Sequence, residues 1–181
     1  MLGALRDRFR IVMLGPEADQ PVASSLGQRV LADRAWDDPT LLDIVMVPGG
    51  RGTRVEVTNQ RLLDAVTRHA ESAELVTSVC TGAAILARAG LLDGRRATSN
   101  KRAFAWVTSQ GPNVEWIAEA RWVEDGNRIT SGGVAAGTDM AVYLIALLHD
   151  AALAEELASN LEYRWNASPL DDPFAAYQGL V

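Results

Sequence analysis

The feature that most constrains this chain is a junction. The run Leu75-Val76-Thr77-Ser78-Val79 passes without a break into Cys80-Thr81-Gly82-Ala83-Ala84, and small residues continue to a stop at Gly90. A short run of this composition reads as a strand buried on both faces, the habit of parallel sheets covered by helices. Thr81–Ala89 reads as the helix that follows it directly. A strand that turns at once into a helix is part of a βαβ crossover, and crossovers force a layered α/β architecture.

The same alternation runs along the rest of the chain. Arg10–Leu14 reads as a strand ending at Gly15-Pro16, and Ile44–Val47 as a buried strand ending at Pro48-Gly49-Gly50. Arg61–Ala73 is a predicted helix, with Leu62, Leu63, Val66 and Ala70 near helical spacing. Ala103–Ser109 is a further predicted helix. Arg121–Glu124 and Arg128–Ser131 flank Asp125-Gly126, a hairpin signal. Gly137–His149 and Ala151–Leu161 read as helices, and Tyr163–Val181 as a tail lying across the surface. With 181 residues, 48% of them hydrophobic, the chain suits a single domain spanning 1–181 with helices on both faces of a mostly parallel sheet.

Charge removes several function classes. A net charge of −6 and a pI near 4.9 argue against nucleic acid, whose phosphates require clustered Lys and Arg. Nor is there a polybasic patch for anionic lipid. The longest apolar run, Met140–Leu148, falls far short of the roughly 20 residues of a membrane span. Met1–Arg10 lacks the apolar core and small-residue cleavage site of a secretory leader. Cys80 is the one cysteine, so no intrachain disulfide can form, which fits a reducing, cytoplasmic setting. His69 and His149 do not stand at ligand spacing from it, and neither a metal nor a cofactor is expected.

The chemistry gathers at two strand ends, where open α/β sheets place their ligands. Cys80 sits where a sharp turn exposes a side chain and small neighbours admit a substrate, the mechanical logic of a nucleophile elbow. Helix N-termini favour thiolates, and the Thr81 N–H is placed to face an oxyanion. Gly49 and Gly50 let backbone approach a ligand, with the Gly50 N–H as a second candidate donor. A lone cysteine in an apolar setting is commonly a small core residue. The strand–Cys–Thr–Gly–Ala–Ala order, with a separate strand ending in Gly-Gly, outweighs that reading here.

Other residues carry weaker signals. His69, between Arg68 and Glu71, is expected to face solvent, and His149 to close a helix where a cation suits the dipole. Asp139 follows Gly137-Thr138 near a helix start, where structural and site-lining roles both stay open. The five tryptophans are scattered and read as core or interface anchors. Asp171 and Asp172 precede Pro173 in a turn-like tail and are assigned no chemistry.

Taken together, Val47-Pro48-Gly49-Gly50, Ser78-Val79-Cys80-Thr81-Gly82-Ala83 and Leu91-Leu92-Asp93-Gly94-Arg95-Arg96-Ala97-Thr98 resemble the ThiJ/PfpI family, within the class I glutamine-amidotransferase-like superfamily. Gly132-Gly133-Val134-Ala135-Ala136-Gly137-Thr138-Asp139-Met140 resembles its downstream glycine-rich turn and helix. The likeness runs from about Phe9 to Phe174 and is nearest the isonitrile hydratase-like branch, which also resembles sensor domains of some transcription regulators. The resemblance implies a flavodoxin-like sheet, a homodimer and Cys80 as nucleophile, with Thr81 beside it. In that branch the thiolate attacks an isocyanide carbon, a carboxylic acid from the first strand-to-helix segment manages protons, and water releases an N-substituted formamide from a thioimidate.

Two departures qualify this. Met1–Leu5 matches the helix that follows the family's acidic residue, so the first strand and its acid are absent from the sequence; the expectation is that the natural product begins upstream. Glu17, after the next strand, is no substitute. Asn100 stands after the Ala97-Thr98 strand, where many superfamily members place a histidine. Asn hydrogen-bonds but is no base, which disfavours peptidase and glutaminase chemistry; Asn100 and Asp139 remain candidates for lining the pocket. The functional expectation is a cysteine-dependent hydratase of a small electrophile. A non-catalytic small-molecule or oxidant sensor is the alternative, and glyoxalase or deglycase activity a further one.

Overall fold

The computed structural model describes residues 1–24 and 26–181. In chain order the elements are β1 (Leu14–Gly15), β2 (Pro21–Ala23), β3 (Arg29–Leu31), β4 (Arg34–Ala35), β5 (Ile44–Val47), α1 (Thr53–Glu56), α2 (Gln60–Ser72) and β6 (Leu75–Val79). There follow α3 (Gly82–Arg88), β7 (Arg96–Ala97), α4 (Phe104–Thr108), β8 (Glu115–Trp116), β9 (Trp122–Asp125), β10 (Arg128–Ser131), α5 (Val134–Leu148), α6 (Ala151–Asn160) and α7 (Phe174–Tyr177).

The central sheet has the order β5-β6-β10-β9. β5, β6 and β10 are parallel, and β9 returns antiparallel with Arg128 opposite Asp125. One face packs Val45, Val47 and Val76 against Leu63 and Val66 of α2 and Ile85 and Leu86 of α3. The other packs Trp122 and Ile129, with Leu75 and Val79, against Met140 and Leu144 of α5. Helices on both faces follow from strands that are apolar on both faces, as the sequence implies.

Element boundaries shift for local reasons. Asn59 caps α2, its side chain accepting the Leu62 N–H at 3.4 Å, and so starts the helix one residue early. α5 begins at Val134 rather than Gly137. Gly137 is a packing residue inside the helix, since a Cβ there would come within 2.6 Å of Val79 Cγ1. Asp150 caps α6 through the Leu153 N–H at 2.8 Å.

The expected strand Arg10–Leu14 is largely absent. Only Leu14 enters a ladder, with Gly15, and that pair joins β4 apart from the central sheet. Asp33 takes the backbone of Met13 instead, through its side chain at 2.7 Å and its N–H at 2.8 Å, leaving Ile11 51% exposed. A strand exists only by pairing, and β5 meets β6 on one side while its other edge has no ladder among the described residues. The β2–β3 hairpin and β8, which pairs with the expected strand at Ala97, carry too little apolar alternation to stand out in the sequence. No helix is long and apolar enough to cross a membrane among the described residues.

Candidate active site

β6 delivers Cys80 to a turn in which the cysteine adopts φ +59°, a left-handed conformation uncommon for a residue with a side chain. Both backbone polar groups of Cys80 are fixed. Its N–H donates to the carbonyls of Ser131 (3.1 Å) and Gly132 (2.8 Å). Its own carbonyl accepts the Ser99 hydroxyl at 2.8 Å. The parallel register of β6 with β10, Val79 opposite Ser131, places those acceptors at the end of the strand. The side chain is half-buried, and its thiol is free.

The strand end after β5 closes on this turn. A Cβ on Gly49 would lie 2.7 Å from both Cys80 Cβ and the Thr81 nitrogen, so only glycine permits the approach. Gly50, at φ +139°, directs its N–H to Thr81 Oγ1 at 2.9 Å. The second oxyanion donor expected from the sequence is therefore satisfied by the threonine hydroxyl in this conformation. Thr53 completes the cluster, donating to the Gly50 carbonyl at 2.7 Å and lying 3.0 Å from Thr81 Oγ1. The Thr81 N–H has no backbone partner among the described residues.

Asn100 and Asp139 have different fates. Asn100 follows Ser99, caps the next turn by accepting the Ala103 N–H at 3.1 Å, and lines a cavity of about 240 Å³ beside the Cys80 turn. Asp139 does not line it. Its carboxylate is 1% exposed and ion-paired with Arg121, and it accepts the Tyr163 hydroxyl at 2.8 Å and the Asn166 N–H at 3.0 Å. Its carbonyl accepts Trp165 Nε1 at 3.2 Å. Asp139 is an anchor for the C-terminal tail. Burial, then its bond to Asp139, pushes the Tyr163 hydroxyl up to about 12.

One sequence expectation is corrected. His69 is not solvent-facing: it is buried, with Nε2 3.0 Å from the Trp36 carbonyl. Its spacing from Val66 and Ala70 places it on the apolar face of α2, a signal its charged neighbours Arg68 and Glu71 mask. Asp172, assigned no chemistry from the sequence, is buried and ion-paired with Lys101 Nζ at 3.0 Å. Lys101 also donates to Thr98 Oγ1 (2.8 Å) and the Ala120 carbonyl (2.6 Å), and burial lowers its ammonium below the ordinary lysine range against the opposing pull of Asp172. A long-range pair of this kind leaves no local pattern in the sequence. His149 ends α5 with its ring edge-on to Phe9, centroids 5.5 Å apart. No cluster suited to a metal ion occurs among the described residues.

A parallel sheet between helix layers, with a cysteine at a strand-to-helix turn, defines a flavodoxin-like protein of the ThiJ type. The chain belongs to the DJ-1/PfpI family, whose pattern it matches over residues 3–147. It is 36% identical over 151 residues to isonitrile hydratase of Pseudomonas putida, a match covering 83% of this chain and 64% of that enzyme. It is 30% identical over 158 residues to the HTH-type transcriptional regulator GbdR of Pseudomonas aeruginosa, covering 87% of this chain and 42% of the regulator. Among solved structures, a ThiJ/PfpI family protein from Pseudomonas syringae superposes with a TM-score of 0.74 at 32% identity, over 87% of this chain and 64% of that one. The chain thus spans less than two thirds of the length of these relatives.

Proposed function

We propose that the chain acts as a cysteine-dependent hydratase of small electrophiles, of the isonitrile hydratase kind. The observation that carries this reading is Cys80 itself. It is held at φ +59° by bonds to the end of β10, at Ser131 and Gly132, and from Ser99, in a chain 36% identical to isonitrile hydratase. Asp19 and Glu162 share this region of backbone space, so the conformation supports the reading only together with the thiol and the strand-to-helix turn that carries it.

In this reading the Cys80 sulfur forms a bond to the terminal carbon of R–N≡C, and that carbon takes up a proton to give the thioimidate R–N=CH–S. Water then adds to the imidate carbon and its nitrogen is protonated. The C–S bond breaks with the electron pair returning to sulfur, and R–NH–CHO leaves. The net change is addition of one water to one isocyanide. The Thr81 N–H faces charge that develops during attack. The working unit is taken to be a homodimer inside the cell, which light scattering on the purified chain tests.

The deciding experiment is turnover of an aryl isocyanide, followed by chromatography of the formamide, with Cys80→Ala as control. Formamide that disappears in the variant supports the hydratase. Ligand binding without turnover in the folded chain refutes it in favour of a sensor domain, the reading that the similarity to GbdR supports.

A further inference from the structure

The cavity of about 240 Å³ beside the Cys80 turn has walls from two distant parts of the chain. Its lining includes Asn100, Gly132, Gly133 and Val134, and from the C-terminal segment Phe174 and Gln178; Cys80 itself borders the cavity through its backbone contacts and is not a lining residue. The first wall is continuous with the cysteine turn. Gly132 accepts the Cys80 N–H at 2.8 Å, and Asn100 directly follows Ser99, whose hydroxyl holds the Cys80 carbonyl. We infer that this cavity seats the organic group of the electrophile that Cys80 attacks, and that Phe174 sets the size of group accepted. The inference rests on Cys80 being the reactive group.

The volume and the walls fit that role. A cavity of about 150 Å³ suffices for a benzene ring, so this one takes a single ring with its attachment. Its apolar surfaces come from Val134, Ala135, Ala136 and Phe174; the charges of Lys101 and Asp172 in its lining are paired with each other and that of Arg121 with Asp139, leaving Arg102 and the amides of Asn100 and Gln178 to orient a bound group.

Phe174 is half-exposed, yet its position is not left to a loose tail. Asp172 is the anchor. One carboxylate oxygen pairs with buried Lys101 at 3.0 Å, and the other accepts the Phe174 N–H at 2.8 Å. The next residue, Ala175, is 0% exposed. A buried ion pair thus fixes the start of α7, and α7 presents one aromatic ring to the cavity. The pair is costly to bury and is retained only where its geometry is fully satisfied. Setting a wall opposite the cysteine turn gives it a function beyond stability.

Cys80 is the one thiol in the chain, so alkylation reports on this site alone. The test compares second-order rates of Cys80 modification by iodoacetamide and by N-phenyl iodoacetamide, read by mass spectrometry. The proteins are the unmodified chain, Phe174→Ala, Phe174→Trp and Tyr177→Ala. Tyr177 lies on the same helix, 83% exposed and outside the cavity. Phe174→Ala is expected to raise the phenyl-to-small rate ratio by roughly fivefold or more, on the scale by which pockets discriminate a few carbon atoms. Phe174→Trp lowers the ratio, and Tyr177→Ala leaves it within about twofold. A ratio unmoved by both Phe174 substitutions overturns the inference. Alkylation needs no hydration step, so a ratio that follows Phe174 while no isocyanide is turned over upholds the cavity assignment and sinks the hydratase reading instead.

Discussion

Replacing Cys80 by glycine should leave the protein more stable than replacing it by alanine, the reverse of the ordinary order. At most positions glycine is worse than alanine by roughly 0.5–1 kcal/mol, because the unfolded chain gains freedom. At φ +59° the Cβ is itself the source of cost. A left-handed conformation costs an L-residue roughly 1–2 kcal/mol. Alanine keeps that cost and glycine removes it. Subtracting the entropic penalty leaves Cys80→Gly ahead by about 0.75 kcal/mol, the middle of a range of about 0–1.5. Both variants lose the sulfur, so its packing cancels in the comparison. The assay is urea unfolding of the two variants with matched m-values, supported by thermal midpoints. A gain of this size moves Tm by about 1–4 °C in a protein of this length. If Cys80→Gly is less stable than Cys80→Ala, the backbone at this turn stores no strain, and the argument that function maintains it fails.

Two further perturbations test other parts of the structure. Asp139→Asn removes the charge that Arg121 pairs with and weakens the acceptor for Tyr163 and Asn166; breaking a buried pair costs about 3–5 kcal/mol, so urea unfolding should shift by that amount, with earlier proteolysis after Tyr163. Raised tyrosines set the alkaline limit: Tyr143 and Tyr163, both pushed up to about 12, keep their protons in the folded state after the unfolded chain begins to lose them at 10.0. Their stabilising contribution is thus present below pH 10.0 and lost as pH rises through about 12, and urea midpoints of the Tyr143→Phe/Tyr163→Phe double variant should fall less steeply over that window.

What the sequence disclosed follows the range of the interaction. The buried strands β5 and β6, the hairpin of β9 and β10 and the long helices are written in local periodicity and turn chemistry, and each formed near its expected place. Cys80 was marked by a strand running directly into small residues, again a local signal. The site's supports were not local. Ser99 bonds Cys80 from 19 residues away, and Lys101 reaches Asp172 across most of the C-terminal half. His69 was misjudged because charged neighbours obscured its spacing from Val66. Arg10–Leu14 failed as a strand for the same reason in reverse: its local pattern was adequate, and the partner that would make it a strand was not at its side.

The left-handed turn at Cys80 is the endpoint of a chain of such long-range contacts. Nothing in Val79-Cys80-Thr81 alone holds φ at +59°; an isolated segment would relax. The parallel register of β6 with β10 brings the Ser131 and Gly132 carbonyls onto the Cys80 N–H, and Ser99 closes the other side. That register is backed by α5, which approaches β6 closely because Gly137 has no Cβ to meet Val79. Two residues later on the same helix, Asp139 receives the tail through Arg121, Tyr163 and Asn166. The tail then carries Asp172 to Lys101, beside Ser99 and Asn100, and so returns to the cysteine turn. Because the supports form a closed path, loosening the tail at Asp139 should be felt as a change in Cys80 alkylation rate even though no atom of Asp139 faces the cavity.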